Sequence, residues 1–190
     1  MPIFARLAVI AVVLLSGVAT MARAQAFGIA PDMTAVEAGA FARIKDRLLL
    51  VPPQPNDRFV AYIGRVGPGG QICEVSATTA PHRYDPQGHA VREEYDKVRA
   101  HLDGIYGAGT RDERVSAGSP WTAEHDWVLS VLMGARSHRS AWSAPLPAGL
   151  ERIDLTVDAV GVGRSRVKLT YVFDIAYSCG EIESISASGL

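Results

Sequence analysis

The chain lacks most of the signatures that announce chemistry in a small protein. It holds two cysteines, Cys73 and Cys179, in 190 residues. No C-x-x-C pair or Cys/His cluster surrounds them, so neither a zinc knuckle nor a dithiol redox motif is present. There is no G-x-S-x-G elbow, no H-E-x-x-H, no Walker loop and no G-x-G-x-x-G after a strand. Gly161-Val162-Gly163 lacks the third glycine and falls in a turn. The sequence therefore carries no signature of a cofactor. Aromatic residues make up only 7% of the chain, which leaves few for a stacking platform. Charge of one sign is not in excess. The formal net charge is −1, without long runs of either sign, and the basic footprint of a nucleic-acid binder is missing. Only one long apolar run exists, at residues 7–15, and no other stretch is long and apolar enough to span a membrane.

That single run is informative because of its position. Arg6 precedes it, and Ala22-Arg23-Ala24 and Ala24-Gln25-Ala26 follow, each matching the small-residue rule for signal cleavage. Residues 1–24 read as a signal peptide cut after Ala24 or Ala26. No cysteine follows for lipid attachment, and no arginine pair marks the twin-arginine route. The remainder, 27–190, is expected to be a single exported domain, periplasmic or secreted and not stably inserted in a membrane. Loss of Arg6 and Arg23 makes it slightly more acidic. In an oxidising compartment two cysteines default to a disulfide. Cys73 shares parity with apolar Val75 and Ala77, and Cys179 continues the series that ends at Tyr177. Both sulfurs are thus expected on inward strand faces, bridging Cys73 to Cys179.

Phe27-Gly28-Ile29 reads as a short extended opening. Thr34-Ala35-Val36-Glu37 is a capping box, and Val36, Ala40, Phe41, Ile44 and Leu48 follow at helical spacing until Pro52. Residues 59–66 and 71–79 read as a hairpin around Gly67-Pro68-Gly69-Gly70. Val91, Tyr95, Val98, Leu102 and Ile105 define a helix over 90–106. Residues 110–118 are charged and read as a loop. Ser119-Pro120 reads as the start of a third helix running to about Met133, with His125 half-buried beside Trp121 and Val128. A long hairpin follows, in which Ile153, Leu155 and Val157 and then Val167, Leu169, Tyr171 and Phe173 alternate with polar partners. Together these predict an α+β fold, an antiparallel sheet of about four to five strands with about three helices packed on one face.

Three polar groups are candidates for function. His82, Asp85 and His89 share a loop and are ligand types for zinc or copper. Arg136, His138 and Arg139 follow the third helix, while Arg164, Arg166 and Lys168 lie on the last hairpin. Arg136, Arg139, Arg164, Arg166 and Lys168 suit an acidic partner or an anionic envelope component. Trp121, Trp127 and Trp142 are read as mainly core.

Some pieces resemble exported proteobacterial α+β proteins of no assigned activity. They are Phe27-Gly28-Ile29, Met33-Thr34-Ala35-Val36-Glu37, Leu102-Asp103-Gly104-Ile105-Tyr106-Gly107, Trp142 and Tyr171-Val172-Phe173. The opening also looks like small periplasmic helix-and-sheet modules of the outer-membrane assembly lipoprotein type, without their lipid-carrying cysteine. These resemblances imply a fold and no catalytic residues. The expected function is a non-enzymatic module that binds a protein or cell-envelope component, with no nucleic acid among its partners. The alternative is a small periplasmic hydrolase or metal-dependent enzyme built on the histidine-bearing loops. An inhibitor or chaperone-like protein is a separate, third reading.

Overall fold

Period-two alternation builds the centre of the molecule. The computed structural model describes residues 25–143, 145–175 and Cys179. Its strands in chain order are β1 (Ala40–Ile44), β2 (Arg47–Leu50), β3 (Ala61–Val66), β4 (Ile72–Thr78), β5 (His82–Arg83), β6 (Thr110–Val115), β7 (Arg136–Trp142), β8 (Leu150–Gly161) and β9 (Arg164–Phe173). Two α-helices, α1 (His89–Tyr106) and α2 (Trp127–Leu132), complete it, with a 3-10 turn at Glu124–Asp126. The strands form one antiparallel sheet in the order β1-β2-β3-β4-β9-β8-β7-β6, and β5 pairs beside β9.

Register carries the apolar residues to one face. Leu50, Tyr62, Ala77, Leu169 and Leu155 lie in one cross-strand row. Val75, Tyr171, Ile153 and Trp142 form the next. Both helices lie on this side. Val91, Tyr95, Val98 and Leu102 of α1 and Trp127 and Val128 of α2 join the same buried cluster. The Asp85 carboxylate caps α1, accepting from the backbone N–H of His89 at 2.9 Å, Ala90 at 3.0 Å and Val91 at 3.3 Å.

The fold is mainly β, which corrects the α+β expectation of four to five strands and three helices. Three segments account for the difference. The Thr34–Glu37 box does form, with the Glu37 carboxylate accepting from Thr34 N–H at 2.8 Å, but only a turn follows. Gly39 then takes φ +79, where a Cβ would overlap the Val51 carbonyl, and Lys45 takes φ +57 in a two-residue turn. The result is the β1–β2 hairpin, which buries Leu48 and Leu50 at a spacing of two. Residues 110–115 form a charged edge strand instead of a loop. Arg111 with Glu113, and Arg114 with Asp112 at 2.7 Å, neutralise one another there. The third helix shrinks to the 3-10 turn and α2, and His125 lies exposed, not half-buried.

The opening Phe27-Gly28-Ile29 is a tight turn, not an extended piece. Ala26 and Ile29 exchange backbone hydrogen bonds of 2.9 Å across it, and Phe27 and Gly28 both have positive φ. The Phe27 ring then packs edge-on against Phe59, Tyr62 and Tyr171.

The Cys73–Cys179 disulfide is present, with Cα atoms 5.7 Å apart. Arg65 faces Glu74 and Val66 faces Ile72, so Cys73 is the extra residue of a bulge, outside simple inward-outward alternation. The Tyr177 parity expected to lead into Cys179 lies outside the described residues.

Candidate functional site

The face opposite the helices is polar over its larger part. Register places Thr78, Lys168, Thr156, Arg139 and Asp112 in one row across five strands. Ser76, Thr170, Asp154, Ala141 and Thr110 form the adjoining row. Lining residues from both rows, with Glu74 and Arg152, bound a cleft of about 590 Å³.

Most charges in this cleft are satisfied. Arg139 Nε reaches Asp112 at 2.8 Å and Arg152 Nε reaches Asp154 at 2.7 Å. Desolvation pulls the Asp112 carboxyl upward, but hydrogen bonds from Arg139 and Arg114 outweigh it and hold the group below its usual range. The hydrogen bond to Asp154 raises Arg152. Arg65 and Glu74 approach to 3.6 Å at the margin. The Ser76 and Thr170 hydroxyls are 2.9 Å apart. Lys168 differs from the other cations: among the described residues no carboxylate lies within 4.0 Å of its ammonium. Its cross-strand neighbours are Thr78 and Thr156.

A second polar group lies under α1 on the helix-covered face. His138 is only 6% exposed and sits edge-on to Tyr95 and Trp127, with ring centroids 4.4 and 5.3 Å away. Its Nδ1 is 3.3 Å from Glu113, while its Nε2 is buried without a partner. The Tyr95 and Ser140 hydroxyls are hydrogen-bonded at 2.7 Å, and Arg99 Nε donates to Ser140 at 3.1 Å. Burial pushes the Tyr95 phenol up to about 12 and the His138 imidazole down.

The five basic candidates do not converge. Lys168 and Arg139 line the cleft together. Arg166 shares their face but donates twice to Asp158, at 3.0 and 2.8 Å. Arg164 pairs with Gly161 and Arg83 at the end of the hairpin. Arg136 belongs to the opposite face, where it donates to Ser130 at 2.8 Å and stands over the Trp127 ring. His138, grouped with it in the sequence, is inward because it shares parity with buried Ser140 and Trp142.

The histidine loop is likewise divided among separate partners. His82 Nε2 contacts Glu94 at 2.7 Å, Asp85 caps α1, and His89 lies 3.1 Å from Arg92 and 3.6 Å from Glu124. Among the described residues no three His, Cys, Asp or Glu side chains stand together as a metal-binding group. Asp154, Thr156 and Thr170 were readable as the polar partners of the last hairpin. Glu74 was readable as outward-facing in its own strand, and Arg152 shares the parity of Asp154. That Glu74 and Asp112 border the same cleft was not readable, because nothing local brings β4 and β6 to this hairpin.

No protein-family profile, no curated protein and no solved structure matches the chain. No described helix is long and apolar enough to cross a membrane.

Proposed function

We propose that the protein is an exported binding module whose helix-free face holds an anionic group of a protein partner or envelope component. The observation that carries this reading is Lys168. It is the cation of the cleft without a carboxylate among the described residues, and hydroxyl-bearing residues flank it. Arg139, Arg152 and Arg166 on the same face are already paired. An ammonium among hydroxyls offers an incoming anion both charge and hydrogen bonds.

The disulfide supports an oxidising destination. The opening turn favours processing after Ala24. Cleavage after Ala26 would remove a buried residue and both of its hydrogen bonds to Ile29.

Two measurements test the reading. N-terminal sequencing of the exported protein is expected to give Gln25, and an intact Met1 start would count against export. Crosslinked partners are then recovered from the envelope with Lys168→Gln and, separately, Arg166→Gln. Lys168→Gln is expected to reduce recovery strongly at low salt, and Arg166→Gln much less. Unchanged recovery with Lys168→Gln, joined to loss of cellular function with His82→Ala, would transfer the assignment to the enzyme reading.

A further inference from the structure

Two separate covers meet on the helix-bearing face of the sheet. α1 packs over β8 and β9. Over β3 the cover is Phe27 and Phe59, whose rings stand edge-on to Tyr62 with centroids 5.0 and 6.4 Å away. The seam between the covers stays open. It leaves a cavity of about 510 Å³, within the usual size of a small-molecule site.

The apolar stripe of α1 runs into this cavity. Val91, Tyr95, Val98 and Leu102 are buried, and Ile105 continues their spacing yet is 58% exposed. Ile105 borders the cavity instead of filling the core. The floor is Tyr171 of β9, with the Phe27 ring edge-on to it at 5.7 Å. Phe59 lines the far side, so three aromatic rings surround the space in a chain that holds few. Rings in this number offer edge-on contacts to a further ring.

The lip opposite α1 is pinned before any ligand arrives. Asn56 N–H donates to the Tyr62 hydroxyl at 2.8 Å, and that hydroxyl donates back to the Asn56 carbonyl at 3.0 Å. The Asn56 carboxamide oxygen accepts from Arg58 N–H at 3.0 Å, and Gln54 N–H reaches the Phe27 carbonyl at 3.0 Å. A preformed lip lowers the entropy cost of binding.

Three polar side chains stand at the exposed margin: Asp57, Arg58 and His101. Among the described residues no carboxylate lies within 4.0 Å of the Arg58 guanidinium, and the His101 ring has no hydrogen-bond partner. Asp57 likewise meets no cation there. Two donor groups against one acid favour an anionic head. One guanidinium matches a carboxylate through two parallel hydrogen bonds, whereas a phosphate dianion would face Asp57 with a single cation to hold it.

We propose that this cavity binds a small aromatic monocarboxylate, with the carboxylate held by Arg58 and His101 and the ring laid among Phe27, Phe59, Ile105 and Tyr171. The cavity opens on the face opposite Lys168, so its occupancy is independent of the polar cleft.

Calorimetric titration of the purified exported protein with 3-phenylpropionate tests it. The acid is expected to bind about tenfold or more tightly than 3-phenylpropan-1-ol, which has the same ring and no charge. Arg58→Gln should remove that difference by weakening the acid alone. Ile105→Glu places a carboxylate on an exposed wall and should weaken the acid by at least as much, with near-UV circular dichroism confirming a native core. Lys168→Gln should leave the affinity unchanged. No binding up to about 10 mM, or equal binding of acid and alcohol, overturns the proposal. So does an Arg58→Gln variant that keeps the full preference for the acid. Tighter binding of L-phenylalanine would assign the lip to an ammonium at Asp57, and tighter binding of decanoate would assign the cavity to an acyl chain. Loss of binding with Lys168→Gln would move the acid to the polar cleft. Each of these three results overturns it as well.

Discussion

His138 shows how far one residue's role can depart from its charge type. In the sequence it stands between two arginines, yet it is sealed under Tyr95 and Trp127 with Nε2 unpartnered. Desolvation lowers its pKa from 6.5 against the upward pull of Glu113 and Asp96, and Arg111 and Arg92 add to the lowering. The folded state then binds fewer protons than the unfolded state just below pH 6.5. Stability from neutral His138 is complete above that pH and falls as pH drops toward the depressed value. The thermal midpoint is expected to fall between pH 7.5 and 5.5, and His138→Phe should flatten that fall (both pH settings are about one unit from the ordinary value). Equal slopes in the two proteins would place the titration elsewhere. Asp85 makes the complementary case, a loop carboxylate that belongs to a helix. Asp85→Ala leaves three N–H groups of α1 without their acceptor and should cost about 1–2 kcal/mol in denaturant unfolding. A change below about 0.3 kcal/mol would mean that water replaces the cap without loss.

Among the elements, those with strong local patterns were legible. The β3–β4 and β8–β9 hairpins and α1 fall within a few residues of where alternation, turn residues and helical spacing put them. The segment over 34–50 was not. Its apolar spacing and working capping box both argue for a helix, but Gly39 accepts from Val51 N–H at 2.9 Å and turns the chain into a hairpin. Gly39→Ala should destabilise the protein by roughly 1–3 kcal/mol, because φ is positive and the added Cβ meets the Val51 carbonyl. An unchanged unfolding midpoint would remove Gly39 as the cause of the turn. The disulfide closes a separation of 106 residues, and replacing both cysteines by alanine should cost about 2–5 kcal/mol. Thiol counting on denatured, unreduced protein should find none free.

At the scale of the whole molecule, binding at the cleft should be sensitive to ionic strength. Exposed charges are screened beyond about 8–10 Å at physiological salt, so the loss caused by Lys168→Gln should shrink as salt rises. A loss that stays constant to about 1 M salt would point to packing instead of charge. Folding should hardly change, since Lys168 has no described ion-pair partner to lose. The sequence by itself determined the signal-like opening, the cysteine pair and the hairpins and helix whose periods are local. It also placed Lys168 on an outward face, because parity within one strand is a local property. Only the tertiary structure decided which strands are neighbours. Whereas Arg136 and His138 reach the other face through the pleat of β7 itself, strand order brings Glu74, Lys168, Asp154, Arg139 and Asp112 into one cleft. It also turned an amphipathic helical pattern into an edge hairpin, since the hydrogen-bonding partner of each strand comes from residues far away in the chain.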